Sequence, residues 1–362
     1  MMDISSECPR VAIIILNWNG WRDTLECLES VYKIDYPNYD VVVVDNGSTD
    51  NSIEKIKEYC SGNIMVKSKF FKYDPTNKPI KIFEICEDDA VKGKFNKKLY
   101  EKYDINRRSI LIKNRKNYGF TGGNNIAIKF AIKVLDPDYI LLLNNDTAVN
   151  KNFLIELIKV AELDDRIGIL QSKILKKDNP NIIDSAGIFI KLGRHITRGS
   201  DEIDRGQYDD KPIIDAASGT ACLFKCEMLK DVGLFEEDFF AYHEDTELSL
   251  RARKYGWIIK FVSNSVVFHK GHATSKVNSR FILNKFGYKM TIISWRNLMI
   301  TINKHGDYIQ KILFWINFIR IIFMSWVGKR LGRNNIGATP YIIAFREFLK
   351  YKRGEKYERY VL

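Results

Sequence analysis

Apolar positions along this chain alternate between two rhythms. Val11 to Leu16 is an unbroken apolar run rich in β-branched residues, bounded by polar Asn17-Trp18-Asn19-Gly20, which predicts a strand buried on both faces. Leu25, Leu28 and Tyr32 then recur at helical spacing, and Val41 to Val44 form a second buried run, completing a β-α-β unit. After Asp45-Asn-Gly-Ser-Thr-Asp50, Ile53, Ile56 and Cys60 make a helical stripe rather than a returning strand, with Asn51 and Glu54 spaced as a capping box. From Ser61 to Arg108 the text turns polar and Lys-rich, with short alternating pieces such as Lys81-Ile-Phe-Glu-Ile85, and reads as an insertion. The alternation resumes with a strand at Ile110 to Ile112, a helix through Ala127, Phe130, Ala131 and Val134, and a buried strand at Tyr139 to Leu143. Another helix follows through Phe153, Leu157, Ile158 and Ala161. Shorter strands are predicted at Ile167 to Leu170, Ile188 to Ile190, Ala221 to Phe224 and Val262 to Phe268. The fold expected is α/β with a mixed, mostly parallel central sheet, and beyond Ser275 the pattern becomes amphipathic, aromatic-rich helix with a basic tail.

Composition adds two constraints. A formal net charge of +12 favours an anionic partner, which nucleic acid, anionic lipid or a diphosphate-bearing small molecule would satisfy. Cys8, Cys27, Cys60, Cys86, Cys222 and Cys226 form neither a CxxC pair nor a zinc-finger spacing, which suits a reduced, cytoplasmic setting without export. Ile312 to Gly328 is membrane-like but interrupted by Asn317 and Arg320. It reads either as a helix lying in the interface of an anionic bilayer, with Lys329 and Arg330 at its end, or as a helix packed on the protein.

In an open α/β sheet ligands bind beyond the carboxyl ends of the strands. Three polar segments fall there: Asn17 to Asn19, Asp45 to Gly47, and Asn144-Asn145-Asp146. Asp45 is placed to accept hydrogen bonds from a ribose or base. In Asn117-Tyr-Gly-Phe-Thr-Gly-Gly-Asn-Asn125, Gly119 and Gly123 would let backbone approach an anion at a helix start, or the segment is a tight loop capped by Asn124. Asp146, beside Asn144, can hold Mg2+ or Mn2+ through oxygen while a diphosphate supplies further ligands, or it caps the next helix. His243-Glu244-Asp245-Thr246-Glu247 opens a helix whose Leu248, Ala252 and Tyr255 face inward and whose end Gly256 can close. Its acids complement the helix dipole, and Asp245 is also the candidate general base, with Glu244 beside it on the acceptor side. His269, followed closely by His272, could complete a metal site, although a lone histidine is more often structural.

In this order the pieces resemble glycosyltransferase family 2, in the rhamnosyltransferase and galactofuranosyltransferase-like branch with the GT-A fold. The resemblance runs through Val11 to Gly20, Asp45 to Asp50, Asn117 to Asn125, Leu142 to Thr147, Ser218 to Leu223, Gly233 to Arg251 and His269 to Ser275. It implies a GT-A domain over residues 8–275, carrying an insertion at about 61–108, and a C-terminal amphipathic helical region over 276–362 that is a candidate for membrane association. It also implies an inverting, metal-dependent hexosyltransferase using a nucleotide-diphosphate sugar, with a saccharide or lipid-linked saccharide as acceptor. Nucleotide-sugar contacts would then come from Asn17, Asn19, Asp45, Asn117, Gly119, Gly123, Asn124 and Asn144. Asp146 and His269 would serve Mg2+ or Mn2+, Asp245 would be the base, and Trp295 would join Glu244 on the acceptor side. The sequence departs from the family's DxD pattern, because Asn144-Asn145-Asp146 keeps only one carboxylate. A sugar-phosphate nucleotidylyltransferase would need a glycine-rich, arginine-containing loop after the first strand, and a dinucleotide oxidoreductase a GxGxxG there. A non-catalytic basic membrane scaffold leaves Asp45, Asp146 and Asp245 unexplained.

Overall fold

The structure, a computed structural model, describes residues 8–271, 285–331 and 337–355. His272, Ser275 and the boundary at 275/276 lie outside the described residues. The first half is built from β1 (Val11–Asn17), α1 (Trp21–Val31), β2 (Tyr39–Asp45), α2 (Ser52–Cys60), β3 (Lys81–Cys86), short α3 (Glu87–Lys92) and α4 (Lys97–Tyr100), β4 (Arg108–Lys113), α5 (Gly119–Phe130) and β5 (Tyr139–Asn144). Then come β6 (Thr147–Val149), α6 (Phe153–Ala161), β7 (Ile167–Lys176), β8 (Ile183–Ser185), the hairpin β9 (Ile188–Lys191) and β10 (Arg194–Thr197), β11 (Ala221–Lys225), α7 (Cys226–Val232), α8 (Glu244–Lys254) and β12 (Ile258–His269). Three helices close the described chain: α9 (Lys285–His305), α10 (Tyr308–Arg330) and α11 (Thr339–Lys352).

One mixed sheet runs β3-β4-β2-β1-β5-β11-β7-β12-β6, with β8 paired to β7. The pairs from β3 to β5 are parallel, β11 runs antiparallel to both neighbours, and β12 is parallel to β7. β1 is central because every residue from Val11 to Ile15 is fully buried, and each valine or isoleucine among them contributes about 1.5–3 kcal/mol by leaving water. Apolar clusters cover both faces of the sheet, and a third joins α9, α10 and α11 around Met299, Phe314, Phe318 and Phe348.

Three local expectations are corrected, and the stretch at 61–108 gains a defined place in the sheet. The stretch read as an insertion contributes β3, which pairs with β4 across six residues, so its alternation is that of an edge strand. It is tied down by buried Glu29, which accepts from Tyr59 Oη (2.8 Å), Lys78 Nζ (3.0 Å) and the Asp74 amide (3.0 Å). Asn51 does not cap α2 with its side chain; Asp50 Oδ1 accepts from the Ser52 amide instead, at 3.0 Å. The glycine-rich loop is mostly helix, because α5 begins at Gly119, and Asn124 sits buried in its second turn donating to Phe120 O. Tyr255, expected to face inward, is exposed as the C-cap of α8, while Leu248 and Ala252 are buried and Gly256 follows with a positive φ.

Candidate active site

The chain leaves β1 toward β2 on one side and reaches β5 on the other, so the crevice at the switch point opens between Asn17 and Asn144. Beyond the end of β5 lies a cavity of about 600 Å3 whose lining includes Asn144, Asp146, His269, Glu244, Asp245 and Trp295. Six residues from four separate segments of the sequence are thereby brought to one space.

On one wall, His269 at the end of β12 meets Asp146 across the β12–β6 pairing. Its Nε2 lies 3.2 Å from Asp146 Oδ1, and its Nδ1 lies 2.7 Å from Asp184 Oδ2 on β8. Burial opposes charge on His269, but hydrogen bonds to Asp146 and Asp184 outweigh it and push the imidazole up to about 10. Burial likewise opposes ionisation of Asp146, and the His269 hydrogen bond and charge reverse this, holding its carboxyl below the usual range. Two ligands each about 2.1 Å from a divalent ion and roughly at right angles stand about 3 Å apart, so the Asp146 and His269 atoms fit as two of its ligands. Asp184 would orient the imidazole from behind, as carboxylates commonly do for metal-bound histidine. Among the described residues no third His, Cys, Asp or Glu joins them. Among the described residues of the cavity lining, the neutral Asn144 is the candidate for a further protein donor.

Another part of the lining is the start of α8. Asp245 Oδ2 accepts from the Gly219 amide at 2.8 Å, and its Oδ1 accepts from the Thr246 amide at 2.6 Å and from Thr246 Oγ1 at 3.1 Å. Thr246 Oγ1 also meets His195 Nε2 at 3.2 Å; donating to Asp245, the hydroxyl accepts from the imidazole. His195 packs edge-on against His243, and burial holds both rings below their ordinary pKa, so this wall's histidines are neutral. Glu244 is buried, and its Oε2 has no hydrogen-bond partner among the described residues. Burial and then the charge of Asp245 hold its carboxyl well above the usual range. Glu247, by contrast, is structural: it accepts from His305 Nε2 at 2.8 Å and from Arg251 Nη2 at 2.7 Å, joining α8 to α9.

The turn before α8 is strained. Phe240 (φ 62°, ψ −61°) centres a γ-turn closed by the Ala241 amide on Phe239 O at 2.7 Å, and Tyr242 and His243 also have positive φ. Asn297 holds it, with Nδ2 at 2.8 Å from Phe239 O, 3.0 Å from Ala241 O and 2.9 Å from Tyr242 O, while Arg296 Nη1 donates to Asp238 O. Of Trp295-Arg296-Asn297, only Trp295 lines the cavity; the other two are buried supports.

The remaining expected residues do not line this cavity. They form a hydrogen-bonded strip beside it, at the ends of β1 and β2 and the start of α5. Asp45 Oδ1 accepts from Asn17 Nδ2 at 2.9 Å, and its Oδ2 accepts from the Ser48 amide at 3.0 Å. Asn19 Oδ1 accepts from the Thr49 amide at 2.8 Å, and Asn117 Oδ1 accepts from Asn46 Nδ2 at 3.0 Å and the Gly119 amide at 2.8 Å. Gly119, at φ +72°, leaves no room for a side chain beside Phe240 O, and at Gly123 a Cβ would meet Leu16 Cδ1 at 2.6 Å. Both glycines thus have a packing reason. Asn145 Nδ2, bonded to Thr24 Oγ1 at 3.0 Å, links the strip to the cavity wall. Sequence reasoning missed Asp184 and His195, which stand alone in unremarkable local text, whereas Asn297 belongs to the segment Trp295-Arg296-Asn297 that the family resemblance assigns to the acceptor side and here acts as a support of the turn.

A mixed, mostly parallel sheet packed between helices, with this cavity beyond the carboxyl end of β5, is the architecture of the GT-A class of fold. The chain belongs to the glycosyltransferase like family 2, whose family model matches residues 9–284. Over 138 residues it is 28% identical to the low-salt glycan biosynthesis hexosyltransferase Agl10 of Haloferax volcanii, covering 38% of this chain and 44% of that protein. Over 125 residues it is 26% identical to glycosyltransferase GlyG of Streptococcus pneumoniae, covering 32% and 42%. The matched stretch therefore spans less than half of either curated relative. Similar solved structures include S. aureus TarS 1–349 in complex with UDP-GlcNAc (TM-score 0.53, 16% identity, 94% of this chain and 81% of that one). The mannosyltransferase PcManGT from Pyrobaculum calidifontis, in complex with GDP-Man and Mn2+, aligns with TM-score 0.52 and 13% identity over 96% of this chain and 89% of its own. These likenesses show the GT-A fold.

Proposed function

We propose that this protein is an inverting, metal-dependent glycosyltransferase that moves a sugar from a nucleotide-diphosphate donor to a saccharide hydroxyl, with a lipid-linked saccharide as acceptor. The carrying observation is that Asp146, His269 and Asp245 line one cavity together. Residues 8–275 would form the transferase domain, with 276–362 as a helical region set against the cytoplasmic membrane face. The family and the UDP-GlcNAc and GDP-Man complexes of its structural neighbours support a nucleotide-sugar donor, and rhamnose or galactofuranose is the sugar expected from the motif resemblance.

The strip of Asn17, Asn19, Asp45, Asn117 and Asn124 would bind the nucleotide, with Asn144 at the cavity edge. Gly119 and Gly123 keep the backbone of α5 close to it. Asp146 and His269 would hold Mg2+ or Mn2+, which when bound supplies positive charge to a departing diphosphate. Asp245, fixed by Gly219 and Thr246, takes the proton of the acceptor hydroxyl as its oxygen bonds to the anomeric carbon. The bond from that carbon to the diphosphate oxygen breaks with its electron pair on the oxygen. Attack and departure on opposite faces invert the centre. Glu244 and Trp295 flank the acceptor.

The test is a thermal-shift and donor-turnover panel across nucleotide sugars, with and without Mn2+, on the wild type, Asp146→Ala and Asp245→Ala. One donor should raise the melting temperature in a metal-dependent way that Asp146→Ala abolishes. Asp245→Ala should keep the donor-induced shift and lose transfer. No response to any donor, or undiminished turnover in both variants, overturns the proposal.

A further inference from the structure

A second cavity, of about 570 Å3, lies beside the first and shares His195, His243, Ser294 and Trp295 with it. Its walls are largely apolar, from Leu298 on α9 and Phe314, Phe318, Ile321 and Met324 on α10. The hairpin closes another side: a Cβ on Gly193 would fall 2.2 Å from the Phe314 amide nitrogen, and Asn317 Nδ2 donates to Leu192 O at 3.1 Å.

Two cations stand in this otherwise uncharged lining. Arg194 reaches only a neutral side chain, Asn317 Oδ1, at 3.2 Å, and neither Arg194 nor Arg320 meets a carboxylate among the described residues. Asn317, Arg320 and Ser325 are the only polar side chains between Ile312 and Gly328, and the first two both line this cavity. Both arginines are exposed at the mouth of the cavity, open to an anion that enters from solvent. Guanidinium forks suit phosphate, and hydrocarbon suits the walls behind them. Ile312, Ile316, Ile319 and Phe323 are exposed on the opposite face of the same helix, away from this cavity.

We propose that this second cavity is a lipid-phosphate subsite for the acceptor. The phosphate is held by Arg194 and Arg320, the chain lies against Leu298, Phe314, Phe318 and Ile321, and the attached saccharide passes Trp295 toward Asp245. The proposal rests on the glycosyl-transfer reading and names the acceptor's anchor.

The experiment measures binding of farnesyl phosphate, farnesol and inorganic phosphate to the full chain, using wild type, Arg194→Ala, Arg320→Ala and an Ile316→Asp control on the exposed stripe. Farnesyl phosphate should bind at least about tenfold more tightly than either fragment, and each arginine variant should lose about tenfold. Ile316→Asp should retain the difference between farnesyl phosphate and farnesol. The donor-induced melting shift should be unchanged in every variant. Equal binding of farnesol and farnesyl phosphate, or wild-type binding in both arginine variants, overturns the subsite. A normal donor response with no farnesyl phosphate binding sinks this inference alone. Arginine-dependent binding with no donor response supports the subsite and sinks the transferase reading.

Discussion

Asp184 Oδ2 stands 2.7 Å from His269 Nδ1, on the opposite edge of the ring from Asp146. Such a carboxylate fixes the tautomer and the orientation of the imidazole, and losing one commonly costs 10- to 100-fold in metal affinity. Asp184→Ala should therefore raise the Mn2+ concentration needed for half of the metal-induced melting shift by about 10- to 100-fold. Asp184→Asn, which keeps a hydrogen-bonding group, should fall between. An unchanged Mn2+ midpoint in Asp184→Ala would count against a metal at Asp146 and His269.

Asn297 restrains the turn that aims Asp245 without lining the cavity itself. Backbone in sparsely populated regions costs on the order of 1–3 kcal/mol per residue, and it persists here because three carbonyls share one amide. Asn297→Ala should lower the melting temperature and reduce kcat by about tenfold or more while leaving the donor KM close to wild type, since the proposed donor residues lie on other elements. A loss confined to the donor KM would contradict this.

Much of the sheet is legible from the residues because parallel strands buried on both faces read as continuous apolar runs: Val11 to Leu16, Val41 to Val44 and Tyr139 to Leu143 all become central strands. Polar residues just beyond such runs stand at the switch point, which is why Asn17, Asp45, Asn144 and Asp146 were visible. Asp184 and His195 were not, because each acts on a partner far away in the chain and no local period marks it. Gly119 to Gly123 misled in a physical way. Glycine disfavours helix, so the run reads as loop, yet here it permits close packing against Leu16 and Phe240.

Glu244 supplies a pH test. Burial and the charge of Asp245 raise its carboxyl well above the ordinary 4.5, so the folded protein keeps the proton over a range where the unfolded chain releases it. The sign follows from linkage: this group's contribution to stability is fully present below about 4.5 and is lost as pH rises toward the folded-state value. Glu244→Gln cannot ionise and escapes that loss. Its melting temperature relative to wild type should climb as pH rises above about 4.5, by on the order of 2 °C for each kcal/mol. A difference independent of pH would show that Glu244 ionises normally in the folded protein.

Ile309, Ile312, Ile316, Ile319, Phe323 and Trp326 are exposed at alternating three- and four-residue steps, which lays them along one face of α10 for about 26 Å. The helix is long and apolar enough to cross a bilayer, but its other face buries Phe314 and Phe318 and is bonded to the hairpin through Asn317. A helix held by protein on one side and apolar on the other is suited to lie along a membrane surface, and Arg320, Lys329 and Arg330 would each contribute on the order of 1 kcal/mol with anionic headgroups. The full chain should therefore float with vesicles containing phosphatidylserine and do so several-fold less with pure phosphatidylcholine. Ile316→Asp combined with Phe323→Asp should abolish flotation while the donor-induced melting shift persists, because both side chains point away from the cavity-lining residues of the helix. Flotation unaffected by these two aspartates would remove α10 from the membrane contact, and a concentration-dependent dimer lost in the same variant would assign the stripe to a second copy of the chain.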